Sequence, residues 1–222
     1  MTSASDTAGP HHPGAAGDSA HDPQRRDFLS LAAVAMSAAG LALACWPFID
    51  SMEPAEDTRA MGAPRDLDIS KIQPGSQIIY RWRGKPMFVL RRTPAMLETL
   101  KDKDLRARLR DPDSTTRQQA DYATNWHRSI KPEYAILVGV CTHLGCIPAL
   151  TEQKGAVGPG WEGGYFCHCH GSKYDFAGRV FKGVPAPYNL PVPPYNFTAD
   201  NKLRIGENPK GADFSMNDVR QI

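Results

Sequence analysis

The sequence predicts an antiparallel β domain with a small helical insertion, preceded by one N-terminal transmembrane helix. Pro and Gly occur 19 times each among 222 residues, a composition that favours turns and short strands over a helical bundle. Short strand-like stretches separated by turn residues recur after residue 65, which is typical of antiparallel β folds. The run 28–48 near the N-terminus holds no charged residue. The formal net charge of +2 gives no electrostatic reason to expect nucleic acid as a partner.

The first 27 residues are predicted to be a polar tail. Residues 1–24 are rich in Ala, Gly, Ser, His, Asp and Pro and lack hydrophobic periodicity, which is typical of disordered segments. The tail histidines His11, His12 and His21 are interpreted as solvated side chains rather than as metal ligands.

The charge-free run 28–48 is predicted to cross a membrane. As a helix it would rise roughly 31 Å, about the thickness of the bilayer hydrocarbon, and it lacks the polar face of a soluble helix. Arg25 and Arg26 precede it and acidic residues follow it, so the positive-inside rule places the N-terminus in the cytoplasm. The charged, Pro-containing segment 49–64 is interpreted as a flexible tether.

The start of this run resembles a twin-arginine export signal, through the pattern Arg-Arg-x-Phe-Leu over 25–29. That route carries folded proteins, which suits a domain that receives a metal cluster in the cytoplasm. A cleaved signal peptide is the alternative, because residues 42–44 have a small-x-small pattern. Pro47 follows soon after that pattern, so we expect an uncleaved anchor.

The soluble domain is predicted over residues 65–222. Residues 77–82 and 85–90 flank Arg83-Gly84, which is a hairpin signal. Further strand-like stretches lie at 134–140 and 164–166. Residues 174–181 are interpreted as two strands around a glycine turn, and residues 195–205 as a second hairpin with an Asp-Asn turn at 200–201.

One segment of the soluble domain, about 94–126, departs from the strand pattern. Its first part carries apolar residues at a spacing that suits an amphipathic helix: Met96, Leu97, Leu100, Leu105 and Leu109. We therefore expect a helical insertion on the surface, between strands.

Two short boxes carry cysteine and histidine together. The first, 141–146, reads C-T-H-L-G-C, and the second, 167–172, reads C-H-C-H-G-S. Each box offers a soft thiolate and an imidazole, and each holds one further cysteine. Two thiolates and two imidazoles can bind zinc tetrahedrally or hold a [2Fe–2S] cluster with two cysteines on one iron and two histidines on the other. A structural zinc site has no use for the additional cysteines, so these favour the cluster.

These boxes resemble those of the Rieske iron–sulfur subunit of the cytochrome bc1 complex, in its bacterial form. The resemblance covers about residues 25–222 and implies one [2Fe–2S] cluster within loops at about 139–190. By position, the implied ligands are Cys141, His143, Cys167 and His170. The resemblance further implies a disulfide between Cys146 and Cys169, which an oxidising compartment permits. The family usually has Pro where this chain has His168, which we interpret as a surface residue.

The same resemblance assigns roles around the cluster. The hydroxyl of Ser172 would bond a bridging sulfide and that of Tyr174 the sulfur of Cys141. A proline loop with Pro185 and Pro187 would cover the cluster. Leu144 and Gly145 would form the tip that docks against a partner.

The resemblance implies electron transfer in the bacterial inner membrane, with the cluster domain in the periplasm. Ubiquinol would give one electron to the cluster, with His170 and His143 as hydrogen-bond partners and proton acceptors, and cytochrome c1 would receive it. The chain would act beside cytochrome b, within a dimeric complex in membrane lipid, and would not be catalytic alone.

Three alternatives stay open. Another Rieske system, such as an arsenite oxidase or a b6f-type complex, shares the disulfide boxes. A Rieske ferredoxin or an oxygenase domain lacks the two additional cysteines and is less consistent with this sequence. A zinc module without redox activity would lack acid-labile sulfide.

Overall fold

A computed structural model describes residues 23–56, 60 and 62–220. The described residues belong to two compact units, of which one ends at Pro54 and the other begins at Ala55. The tail histidines lie outside the described residues, as does part of the tether expected at 49–64. Its flexibility therefore stays a prediction.

The first unit is dominated by helix α1 (Pro23–Asp50), which includes the whole predicted span 28–48. Its length and apolar composition suffice to cross a membrane. Large apolar side chains such as Leu31, Met36 and Leu43 are at least two-thirds exposed along it. In water such exposure would be costly, and lipid removes that cost.

The second unit contains three antiparallel sheets of three strands each among the described residues. Their orders are β1-β9-β8, β2-β3-β4 and β5-β6-β7. The strands are β1 (Arg65–Asp68), β2 (Gln77–Trp82), β3 (Lys85–Arg91), β4 (Tyr134–Val138), β5 (Ala149–Thr151), β6 (Gly164–Cys167), β7 (Ser172–Tyr174), β8 (Tyr195–Ala199) and β9 (Lys202–Ile205). The predicted antiparallel β class is confirmed.

The β2–β3 hairpin forms where the sequence predicts it. Arg83 and Gly84 make its two-residue turn with φ of 49° and 73°, the left-handed values that hairpin turns need. Strand β4 then pairs with β3. Because both faces of β3 and β4 are covered, Phe88, Val89 and Ile136 are fully buried at the centre of the core.

The insertion is helical at Pro94–Lys101 (α2) and Lys103–Ala107 (α3), and a 3₁₀ turn lies at Asp121–Ala123. The side chains of Thr93 and Asp102 accept backbone N–H groups at the two helix starts. The insertion also contributes a second small core, in which Leu105 and Leu109 pack with Trp161 and Phe181. The insertion is therefore partly buried, because its apolar face packs on residues that precede β6 and follow β7.

A tight turn after β7 is held by three buried arginines. Arg179 pairs with Asp175 at 2.6 Å, and both side chains are almost fully buried. Arg128 donates to the carbonyl of Ala177 at 2.8 Å. Arg92 donates both to the carbonyl of Phe176 in the turn, at 3.5 Å, and to that of Tyr134 in β4, at 2.9 Å. Burial lowers the pKa of Arg128 to about 9, partly opposed by nearby Asp175, so the guanidinium stays charged at neutral pH. These bonds fix the turn relative to the β2-β3-β4 sheet.

Candidate metal centre

The two boxes fold into loops that turn in the same way. In the first, the N–H of Gly145 donates to the carbonyl of Cys141 at 3.0 Å; in the second, Gly171 donates to Cys167 at 2.9 Å. Gly145 has φ of 85° and Gly171 has φ of 79°, which glycine adopts without the steric cost that other residues meet. Each loop therefore closes after four residues, with its first cysteine inside.

The first cysteines of the two loops form a buried thiol pair. Cys141 and Cys167 are each 2% exposed, and neither is in a disulfide. Burial raises the pKa of the Cys167 thiol, and its hydrogen bond with Cys141 raises it further. A metal bound here must displace these protons, because the thiolate is the ligand form.

The two imidazoles lie on the outer side of the loops. The rings of His143 and His170 are 4.7 Å apart between centroids and nearly perpendicular. His170 is exposed and His143 is half-buried, and the Nδ1 atom of His143 is buried. Two inner sulfurs and two outer nitrogens fit a [2Fe–2S] group with cysteines on one iron and histidines on the other.

The remaining two cysteines of the boxes form a disulfide. Cys146 and Cys169 are bonded across 23 residues of sequence, as predicted. The sulfur of Cys167 lies within 4.8 Å of both disulfide sulfurs. Because the bonded sulfurs are not thiolates, they are poor metal ligands, so Cys141 and Cys167 are the available thiols. The disulfide joins the two loops directly.

Tyr174 connects β7 to the first loop. Its hydroxyl lies 3.2 Å from the Cys141 sulfur, and it accepts the N–H of Thr142, also at 3.2 Å. Burial, and then the hydrogen bond to Cys141, raise the pKa of Tyr174 well above its usual range. The phenol therefore stays protonated and is available as a donor to the sulfur.

The proline loop is bonded to both cluster loops. The fully buried hydroxyl of Ser172 accepts the N–H of Ala186 at 3.1 Å. In the first loop, Thr142 Oγ1 donates to the carbonyl of Tyr188 at 2.7 Å. Pro185 is exposed and Pro187 is half-buried on either side of Ala186. The loop is thus positioned by two hydroxyl groups, one from each box.

Two residues of the boxes point away from the centre. His168 is exposed, with its ring edge-on to Phe166 at 4.7 Å between centroids. Leu144 is 71% exposed, and the nearby Ile147, which was not among the predicted site residues, is 60% exposed. An apolar tip therefore lies beside the two histidines.

Thr142 is a further site residue that the sequence pattern did not identify. Its hydroxyl contacts both Tyr174 and the proline loop. Its place in the first box, between the two implied ligands, was the one signal that could have identified it.

Comparison with known proteins gives consistent matches. Residues 15–55 match the family model described as ubiquitinol-cytochrome c reductase Fe-S subunit TAT signal, and residues 96–195 match the Rieske [2Fe-2S] domain model. The ubiquinol-cytochrome c reductase iron-sulfur subunit of Allochromatium vinosum is 46% identical over 82% of this chain and 88% of its own length. The subunit of the same name from Rhodospirillum rubrum is 48% identical, over 83% and 93%. Among solved structures, a chain of a hyperthermophilic respiratory complex III is 29% identical, with a TM-score of 0.43 over 79% of this chain and 99% of that chain.

Proposed function

This chain belongs to the iron–sulfur subunits of ubiquinol–cytochrome c reductase, and from that premise we propose that it takes one electron from ubiquinol and passes it to cytochrome c1. Family membership already makes it a membrane-anchored electron-transfer subunit with a [2Fe–2S] cofactor and a twin-arginine signal region. The proposal adds the donor, the acceptor and the residues that act between them.

The proposed ligands are Cys141, His143, Cys167 and His170. The first and third supply buried sulfur, and the other two supply imidazole nitrogen on the outer side. When bound, the cluster takes up and releases a single electron at a potential raised by the neutral imidazoles. Tyr174 donates its hydroxyl proton toward the Cys141 sulfur, which stabilises added negative charge.

The exposure of His170 beside the apolar tip is the observation that carries the proposal. In water-excluding contact with cytochrome b, the tip at Leu144 and Gly145 would cover the site while a quinol hydroxyl bonds the ring nitrogen of His170 that does not hold the cluster. That nitrogen then holds the proton as the electron moves inward, and His143 can serve in the same way. The imidazole releases this proton after the electron has passed to cytochrome c1, so electron transfer is coupled to proton release.

The membrane arrangement follows from helix α1. Arg25 and Arg26 precede the uncharged part of the helix, and Asp50 ends it. We place the N-terminus in the cytoplasm and the cluster domain in the periplasm of a bacterial inner membrane. There the anchor lies in lipid beside cytochrome b, in a dimeric complex, and the periplasm permits the disulfide.

The test is quinol-driven reduction in the assembled complex. Ubiquinol should produce the reduced-cluster EPR signal and reduced cytochrome c1, and the potential should lie in the upper part of the range of about −150 to +300 mV. A potential near about −150 mV without quinol-driven reduction would indicate a different electron carrier. The absence of any signal, with zinc present and labile sulfide missing, would exclude the cluster itself.

A variant pair tests the docking tip. Leu144→Ala should slow quinol-driven reduction and leave the cluster potential unchanged. Ile79→Ala is the matched control, because Ile79 is a similarly exposed apolar residue in β2. Equal rates in both variants would remove Leu144 from the docking surface.

A further inference from the structure

A cavity of about 400 Å³ lies beside the proline loop, on the side of β7. The cationic residues that line it are Arg108, Lys173 and Lys182, and no acidic residue lines it. Trp161 and Phe181 form part of its wall and are 2% and 7% exposed. The cavity therefore combines an apolar wall with three positive charges.

The three cations are fixed by backbone carbonyls. Lys173 Nζ donates to Val157 at 2.9 Å, Lys182 Nζ donates to Ala107 at 2.8 Å, and Arg108 donates to Gly160. A carbonyl fixes the position of a cation without neutralising its charge. Each lysine ammonium group has two further N–H donors.

Two acidic side chains of the segments that form the cavity wall, Asp113 and Glu162, are bonded to other cations. Asp113 pairs with Arg106 at 2.6 Å and Glu162 pairs with Lys154 at 2.8 Å. Among the ion pairs of the described residues, none includes Arg108, Lys173 or Lys182. Arg110 adds a fourth cation, which donates to the carbonyl of Val184 at 3.3 Å.

The framework of the cavity is continuous with the cluster sheet. Phe181 donates its N–H to the carbonyl of Lys173, and Lys182 donates to that of Arg108, at 3.0 and 2.8 Å. Lys173 in turn pairs with Phe166 in the β6–β7 ladder, one position from Cys167. Lys173 of the cationic cavity and Cys167 of the metal centre therefore lie in one sheet.

We propose that this cationic cavity is a docking site for acidic side chains of the electron-accepting subunit. The inference rests on the proposed function, since it assumes that the cluster end of the domain meets a protein acceptor. Complementary charge speeds encounter and orients the partners without strong binding, and a carrier domain that must leave after each transfer needs that property. Quinol is neutral and meets the apolar tip, so a separate cationic site on the strands that carry Cys167 suits the acceptor step.

A protein partner is favoured over a lipid headgroup because the cavity includes Lys173 of β7, which pairs with β6, the strand that ends at Cys167. An electron acceptor must approach this sheet closely, whereas a lipid headgroup need not. The other cavity-lining residues lie at the insertion, the 159–161 segment and the start of the proline loop.

The experiment compares two variants in the assembled complex, in zwitterionic liposomes. The cavity variant is the double substitution Lys173→Gln and Lys182→Gln, which removes two charges from the cavity. The control variant is the double substitution Lys71→Gln and Lys210→Gln, which removes two exposed charges elsewhere. The rate of electron transfer from the reduced cluster to cytochrome c1 is measured against ionic strength. We expect the cavity variant to be about threefold or more slower at low salt, converging with the wild type at high salt because salt screens the attraction. The control should follow the wild-type curve.

Two results would overturn the inference. One is an unchanged rate and salt dependence in the cavity variant, whose EPR spectrum and potential show an intact cluster. The other is a defect that appears only in liposomes of anionic lipid, which would assign the cavity to a lipid headgroup. In both cases ubiquinol would still reduce the cluster of the wild-type protein. Either result would therefore overturn the docking site without overturning the proposed electron transfer from ubiquinol.

Discussion

The loop over 141–146 and the loop over 167–172 turn in the same way but have different neighbours. Both close through a glycine N–H that donates to the carbonyl of the first cysteine. The first loop is fixed on its buried side by Tyr174, whose hydroxyl contacts both Cys141 and Thr142. The second loop has an exposed outer half, with His168, Cys169 and His170 at the surface, and Ser172 beneath it bonds the proline loop.

The comparison shows that each loop closes through local interactions, whereas the groups that surround its cysteine come from distant parts of the chain. A Cys-x-x-x-Gly spacing is enough to close either loop, since only local bonds and a left-handed glycine are needed. The hydroxyl groups that set the environment of each sulfur arrive from other strands and loops. Variants can therefore disturb one loop and spare the other.

The largest loss of stability is expected at Gly164. Here β6, which leads into the second loop, passes Tyr174, the residue that supports the first loop. Gly164 in β6 has φ of 142°, and a Cβ there would overlap the carbonyl oxygen of Tyr174. Gly164→Ala should cost about 4 kcal/mol of unfolding free energy and reduce cluster content, measured by thermal unfolding and iron analysis. Gly155→Ala is the control, because Gly155 also has a positive φ of 78° but open space around it. It should cost about 1 kcal/mol; equal losses would show that packing against Tyr174 is unimportant.

Removing the disulfide should break the connection between the two loops. The bond closes a segment of 23 residues, for which chain entropy predicts about 3 kcal/mol. Cys146→Ser should leave the four proposed ligands in place and yet release iron and labile sulfide more readily on heating. Cys45→Ser is the control, since Cys45 is a free cysteine in α1. A Cys146→Ser protein as stable as this control would contradict a clamping role for the bond.

Tyr174→Phe should affect the first loop selectively. It removes the hydroxyl 3.2 Å from the Cys141 sulfur, and a hydrogen bond to a charged group contributes about 1.5 kcal/mol or more. The cluster potential should fall by about 60 mV, because 59 mV corresponds to a tenfold change for one electron. A redox titration followed by EPR measures the fall.

Tyr165→Phe supplies the matched control for that titration. Tyr165 lies opposite Tyr174 in the β6–β7 ladder, and its buried hydroxyl has no hydrogen-bond partner among the described residues. Its removal should leave the potential unchanged. Equal shifts in the two variants would mean that Tyr174 acts through packing alone.

The smallest effect is expected at the second loop. Ser172→Ala frees the N–H of Ala186 and removes one neutral hydrogen bond, which contributes about 1 kcal/mol. We expect a lower potential, by less than in Tyr174→Phe, and easier access of a small chelator to the iron. An unchanged potential would mean that the Ser172 hydroxyl serves only the proline loop.

Much of the fold could be predicted because its signals are local. The β2–β3 hairpin follows from Arg83-Gly84, and the β8–β9 pair surrounds the Asp-Asn turn at 200–201. The insertion was predicted as a surface element, although Leu105 and Leu109 are fully buried. Helical spacing shows that a face is apolar, but not which distant residues, here Trp161 and Phe181, will cover it.

The sequence by itself determined the chemistry of this protein: two boxes with their donor atoms, two glycines for the turns, and one uncharged span. Only the tertiary structure decided how those donors are surrounded. Thr142 meets Tyr188 across 46 residues and Arg108 meets Gly160 across 52, and no local pattern encodes such pairs. The reason is physical, since turns and helices depend on neighbours a few residues away, whereas the shielding of a sulfur or the grouping of cations depends on how whole sheets pack.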